Sequence, residues 1–156
     1  MKRVTFETAL MAKQYGFNYP TPVMYNNIGE QIALRYWEGH SPVDDSDKFF
    51  SDTLGLGNCF VKNSHYVEKS IDNVACPTQE ELKDWFRVSQ NLLIEIFPVT
   101  NGGEWMYEIR TIIKTKDNST HYEPNDYYKS YEECLEYALK KSFEFCQPIN
   151  YPKIEY

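Results

Sequence analysis

Long apolar runs are missing from this chain of 156 residues: the longest candidate, Leu92-Leu93-Ile94, stops at Glu95. A membrane-spanning helix needs about 20 consecutive apolar residues, so no span is expected. The start Met1-Lys2-Arg3 has the charge of an export signal, but Glu7 and Lys13 interrupt any apolar stretch behind it, so no leader is expected either and the protein is placed in the cytoplasm. Basic residues are in deficit, 16 Lys and Arg against 23 Asp and Glu, which gives a formal charge of -7 and a pI near 5.0. Affinity for phosphates comes largely from Lys and Arg, so nucleic acid is not the expected partner. Cysteine is scarce: Cys59, Cys76, Cys134 and Cys146 form no CxxC pair, and in a reducing compartment they are expected as free thiols. The Asn118-Ser119-Thr120 sequon has no meaning without secretion. No resident metal or cofactor is expected.

What is abundant is tyrosine, 13 residues, within an aromatic content of 16%. Tyr and Trp pair a large apolar body with a polar tip, which suits both a core with a wet edge and a protein interface. The length matches one α+β domain over residues 1–156, with a long loop or insertion at 38–76 and a tail at 148–156.

Local signals set the element order. Thr5 is placed to cap a helix running to about Tyr15, with Phe6, Ala9, Leu10 and Lys13 on one side; Gly16 ends it and Phe17 closes over the glycine. Pro20 and Pro22 force extended chain, followed by a strand at Val23 to Tyr25 and another at Gln31 to Trp37, whose mutual register the sequence leaves open. From Glu38 to Ala75 periodicity fails, and connections of that length are functional or carry structure of their own. Thr78-Gln79-Glu80-Glu81 reads as a capping box opening a helix to about Ser89, with Leu82, Trp85 and Phe86 on one face. Leu92 to Val99 and Trp105 to Thr115 then read as strands around Asn101-Gly102. A two-residue or four-residue loop sets Ile96 opposite Tyr107 and Ile94 opposite Ile109, whereas a three-residue loop breaks that match. The other face carries Glu95, Glu108, Arg110 and Lys114. Ser130-Tyr131-Glu132-Glu133 is a second capping box; it opens a helix to about Phe145 with Tyr131, Cys134, Leu135, Ala138, Leu139 and Ser142 inward and a Glu136–Lys140 pair outside. The order α-β-β-loop-α-β-β-α predicts an antiparallel-rich sheet built from two hairpins, with three helices packed mainly on one face.

Several of these stretches, Cys76-Pro77-Thr78-Gln79, Trp85-Phe86, Leu92-Leu93-Ile94-Glu95-Ile96, Trp105-Met106-Tyr107 and Tyr131-Glu132-Glu133-Cys134-Leu135-Glu136, resemble small uncharacterised proteins of gut Bacteroidales and their phages. Gly16-Phe17 at the end of a short first helix fits the same pattern. The resemblance covers about two-thirds of the chain, omits the long loop and brings no established reaction, so it transfers no site residue. It implies a phage or mobile-element setting.

Three classes of function compete. The leading one is a non-catalytic binding protein acting through protein–protein contact, with Tyr25, Tyr36 and Trp37 on the first strand pair and Asp44, Asp45, Asp47, Phe49 and Phe50 in the loop as its contact residues. The second is a hydrolase built on the long loop, through His40 with Asp44, Asp45 and Asp47 as metal ligands, or through Cys59 with His65, or Cys76 at a helix amino terminus that lowers a thiol pKa. The third is a nucleotide-binding module, which needs Tyr25, Tyr36, Trp37, Trp105 and Tyr107 on an open sheet face. His65 and His121 read as isolated surface histidines.

Overall fold

The computed structural model describes residues 1–26, 28–33, 74–99, 103–116 and 119–147. The element order is α1 (Phe6–Gln14), β1 (Val23–Tyr25), β2 (Gln31–Ala33), β3 (Val74–Ala75), α2 (Gln79–Ser89), β4 (Leu92–Pro98), β5 (Trp105–Thr111), β6 (His121–Tyr122) and α3 (Tyr131–Ser142), the last running into a 3-10 turn at Phe143–Phe145. This is the expected α+β class with three helices and two hairpins, but the hairpins stand in separate sheets. Each sheet gains a two-residue strand, giving the orders β2-β1-β3 and β4-β5-β6 with all described pairs antiparallel.

α1 starts and stops where its residues dictate. The Thr5 hydroxyl accepts from the Thr8 amide at 3.3 Å. At the other end the Phe17 amide donates to the Ala12 carbonyl and the Gly16 amide to Lys13, with Gly16 at φ +88°. That is a glycine-closed helix end, and Phe17 folds back into the core, fully buried. Gly16→Ala forces a Cβ into the left-handed region and is expected to lower unfolding stability by about 1 kcal/mol, measured by urea denaturation. Of the expected Phe6/Ala9/Leu10/Lys13 side, Ala9 is fully buried and Phe6 and Leu10 pack partly buried against the core; the fully buried face also takes in Ala12 and Thr8, whose hydroxyl donates to Glu136 on α3.

The first hairpin turns through Asn26, whose side-chain oxygen accepts from the amides of Ile28 and Glu30 while Gly29 sits at φ +77°. Its register pairs Val23 with Ala33 and Tyr25 with Gln31. β3, from the end of the segment read as loop, joins the other side of β1 through Met24↔Ala75 and Tyr25↔Val74.

The second hairpin keeps the expected parity: Ile94 pairs with Ile109 and Ile96 with Tyr107. β5 ends at Thr111, four residues early. Asn91, at φ +58°, takes over there: its carbonyl accepts from the Ile112 amide, and its side-chain amide bonds both the N–H and the C=O of Ile113 at 2.9 Å. Those bonds turn the chain off the sheet and leave Ile113 exposed. α2 and α3 cover the face bearing Leu92, Ile94, Tyr107 and Ile109. At α2 the capping box is complete, with the Thr78 amide donating to Glu81 and the Glu81 amide to Thr78. At α3 it is half formed: the Glu133 amide reaches the Ser130 hydroxyl, but the Glu133 carboxylate accepts from the Lys129 amide, one residue further back than expected.

One continuous core links these pieces, with Phe17, Trp85, Phe86 and Phe143 at its centre. The expected Glu136–Lys140 pair does not form. Lys140 reaches Glu7 on α1, and Glu136 turns inward to accept from the Thr5 amide at 2.9 Å, the Thr5 and Thr8 hydroxyls at 2.8 and 2.6 Å, and Gln79 Nε2 at 2.8 Å. Glu136 therefore ties the amino-terminal ends of α1 and α2 to the middle of α3. None of the described helices is long and apolar enough to cross a membrane. The tail 148–156 and the Asn101-Gly102 turn lie outside the described residues.

Candidate functional site: a tyrosine-lined surface

Of the eight contact residues expected from sequence, Tyr36, Trp37, Asp44, Asp45, Asp47, Phe49 and Phe50 lie outside the described residues, as do His40, Cys59 and His65. Tyr25 is described, and it is a core residue at 5% exposure. Its hydroxyl donates to the Val4 carbonyl at 2.6 Å and accepts from Gln31 Nε2 at 2.9 Å, so both ends of the side chain are used internally. Burial pushes its phenol up to about 12. A partner therefore has no free Tyr25 ring to grip. The physical reason is that β3 and α1 close over β1, with Phe6 packed edge-on to the Tyr25 ring at 5.3 Å.

Burial raises the thiol pKa of each described cysteine. Cys76 does precede a helix, but it is fully buried, and desolvation raises its thiol pKa despite hydrogen bonding from Tyr25 and the charge of Arg3. Desolvation likewise pushes Cys134 and Cys146 up to about 12. The sheet face carrying Trp105 and Tyr107 is closed by α3, not open for base stacking. A groove of about 120 Å³ between α2 and β4 is bounded by the ion pairs Lys83–Glu80 and Arg87–Asp84, and it is well below the volume of a drug-sized ligand site.

The distinctive surface lies elsewhere, where the connection from β6 to α3 crosses the end of the second sheet. Tyr128 is pinned there by reciprocal backbone hydrogen bonds with Trp105, both at 2.8 Å. This sets a graded stack of rings. Tyr107, 3% exposed on β5, lies 5.8 Å from the ring of Tyr128 and 6.3 Å from that of Tyr122. Tyr128 stacks in turn on Tyr137 of α3, centroids 4.9 Å apart and planes tilted 34°, and Tyr137 is 52% exposed. Tyr127, the chain neighbour of Tyr128, is 56% exposed. Tyr131 packs edge-on to Trp105 at 5.5 Å and donates its hydroxyl to Glu80 at 2.8 Å. Lys141 Nζ stands 4.7 Å over the Tyr122 ring, a cation–π contact at the rim.

Desolvation raises the phenol pKa values of Tyr107 and Tyr128, and desolvation followed by the Glu80 hydrogen bond lifts Tyr131 to about 12. These phenols stay neutral at physiological pH, as hydrogen-bonding tips on apolar bodies. No ionised nucleophile stands among these rings. The sequence reading missed Tyr127, Tyr128 and Tyr137 as a group. The Tyr127-Tyr128 doublet was the available signal, but it sits in a polar connection with no periodicity to give it a face.

Comparison with protein-family models, with curated proteins and with solved structures finds no match for this chain.

Proposed function

We infer that this is a non-catalytic, intracellular binding protein that acts through protein–protein contact, in a phage or mobile-element setting, and that the tyrosine stack is a contact surface. The observation that carries the reading is the gradient from buried Tyr107 through Tyr128 to exposed Tyr137, with Tyr127, exposed as well, next to Tyr128 in the chain. Exposed rings backed by buried ones are already ordered, so a partner gains contact area with little further entropic loss. The resemblance to Bacteroidales and phage proteins supports the setting, and the free state of the described cysteines supports a reducing compartment.

Affinity capture from the native host tests it with three forms: the unmodified chain, Tyr127→Ala with Tyr137→Ala, and Tyr36→Ala with Trp37→Ala. The Tyr127/Tyr137 form is expected to lose its partner by at least about 30-fold, the scale of one hot-spot contribution. Its thermal midpoint should stay close to that of the parent, since substitutions at exposed positions cost about 0.5 kcal/mol or less. Loss only in the Tyr36/Trp37 form moves the contact to those two residues. A partner held equally by all three forms removes both surfaces.

A further inference from the structure

The face of the second sheet that the helices leave uncovered carries an arrangement that the protein-contact reading neither uses nor requires. Glu95 on β4 stands directly opposite Glu108 on β5. On the other side Ile109 pairs with Tyr122 and Arg110 with His121, so the next pair in that antiparallel register is Glu108 with Glu123. Three glutamates thus share one rung across the sheet. Like charges directly opposite one another on a sheet destabilise it unless a cation is shared between them.

One cation is accounted for, since Arg110 pairs with Glu95 at 2.7 Å. Glu108 and Glu123 are left with His121, whose Nε2 lies 2.9 Å from a Glu108 oxygen and 3.6 Å from a Glu123 oxygen. Alternation along the chain puts His121 and Glu123 on the same side, because Tyr122 between them packs the other way, onto Tyr107 and Phe145. One imidazole nitrogen and two carboxylate oxygens therefore converge with all their separations within 4.8 Å.

We propose that Glu108, His121 and Glu123 bind a divalent transition-metal ion, zinc foremost, which fastens β6 to β5. Tetrahedral zinc with bonds of about 2.0–2.1 Å holds neighbouring donors about 3.3 Å apart, between the two nitrogen–oxygen distances present. Small rotations of exposed side chains complete the fit, and His121 is 61% exposed. Imidazole with two carboxylates suits zinc and its neighbours in the first row, whereas calcium takes six to eight oxygens and is disfavoured by a nitrogen donor. The ion supplies two positive charges at a point where two carboxylates otherwise share one imidazole. Ligands drawn from two strands make it a clamp on β6, which has only two residues paired to β5.

The test is calorimetric titration of the tag-free full chain, stripped with chelator, with zinc chloride at neutral pH. One saturable site of micromolar affinity is expected, together with a rise in thermal midpoint, since a ligand of the folded state stabilises it. His121→Ala and Glu123→Gln should each weaken binding by at least about tenfold, with circular dichroism unchanged, while Glu132→Gln on α3 leaves it intact. Cobalt substituted for zinc should show d–d bands without thiolate charge transfer. Absence of a saturable site, retention of binding by both ligand variants, or a thiolate band would each overturn the proposal.

Discussion

Phe86→Ala is expected to lower unfolding stability by about 3–5 kcal/mol. Phe86 is fully buried on α2 and contacts Trp85 at 5.0 Å and Phe143 at 4.8 Å in edge-to-face geometry. Its ring therefore lies where α2, the end of α3 and the Phe17 side of α1 come together. Alanine removes the transfer free energy of the ring and leaves a cavity walled by rigid aromatics that cannot collapse into it. Phe86→Leu keeps most of the volume and should cost about 1.5 kcal/mol or less. Guanidinium denaturation of the two variants measures the difference. Equal losses would show that the site relaxes freely and that the aromatic cluster is not the rigid centre of the core.

Glu136→Ala is the second large effect, about 2–3 kcal/mol, because it strands donors at the starts of both α1 and α2, of which Thr8 and Gln79 are buried. The Thr5 amide, the Thr5 and Thr8 hydroxyls and Gln79 Nε2 all converge on this carboxylate. The thermal midpoint should fall by roughly 5–10 °C. Burial by itself raises the carboxyl pKa, but the hydrogen bonds from Thr8, Gln79 and Thr5 outweigh it and hold the value below the ordinary carboxylate range. A depressed folded-state pKa has a definite consequence for acid stability. The contribution is fully present above the unfolded value of about 4.3 and is lost as pH falls through the lowered folded value. Denaturation at a series of pH values should therefore show an acid limb below about pH 4.3 that is shallower in Glu136→Gln, which cannot titrate. An identical limb in both proteins would assign the acid sensitivity to other carboxylates.

The sequence disclosed what is local. Thr78 and Glu81 meet within one helical turn, Gly16 and Phe17 close the end of the helix they follow, and Ile94 and Ile109 are matched by parity across a short turn. Each depends on residues a few positions apart, or on a period of two that a slip would invert. Glu136 was misread because its partners Thr5, Thr8 and Gln79 are remote in the chain, while Lys140 stood at the usual i,i+4 distance. The early end of β5 was hidden for the same reason, since it is decided by the side chain of Asn91 across the hairpin. Strands of two residues, as at Val74–Ala75 and His121–Tyr122, are too short to carry any alternation. The tyrosine surface fell between these cases: Tyr107 and Tyr137 belong to periodic elements, but the ring that joins them, Tyr128, is set by a backbone bridge to Trp105 that no sequence pattern announces.

The two stems that flank β1 give the chain a particular tolerance. β2 departs with Ala33 beside Val23, and β3 returns with Val74 beside Tyr25, so both ends of the intervening excursion are anchored to one central strand, about 10 Å from each other at the usual strand spacing. Closure entropy for such an excursion grows only logarithmically with its length. By that scaling, doubling the number of residues that join Ala33 to Val74 adds only about 0.6 kcal/mol to the cost of holding β2 and β3 on either side of β1.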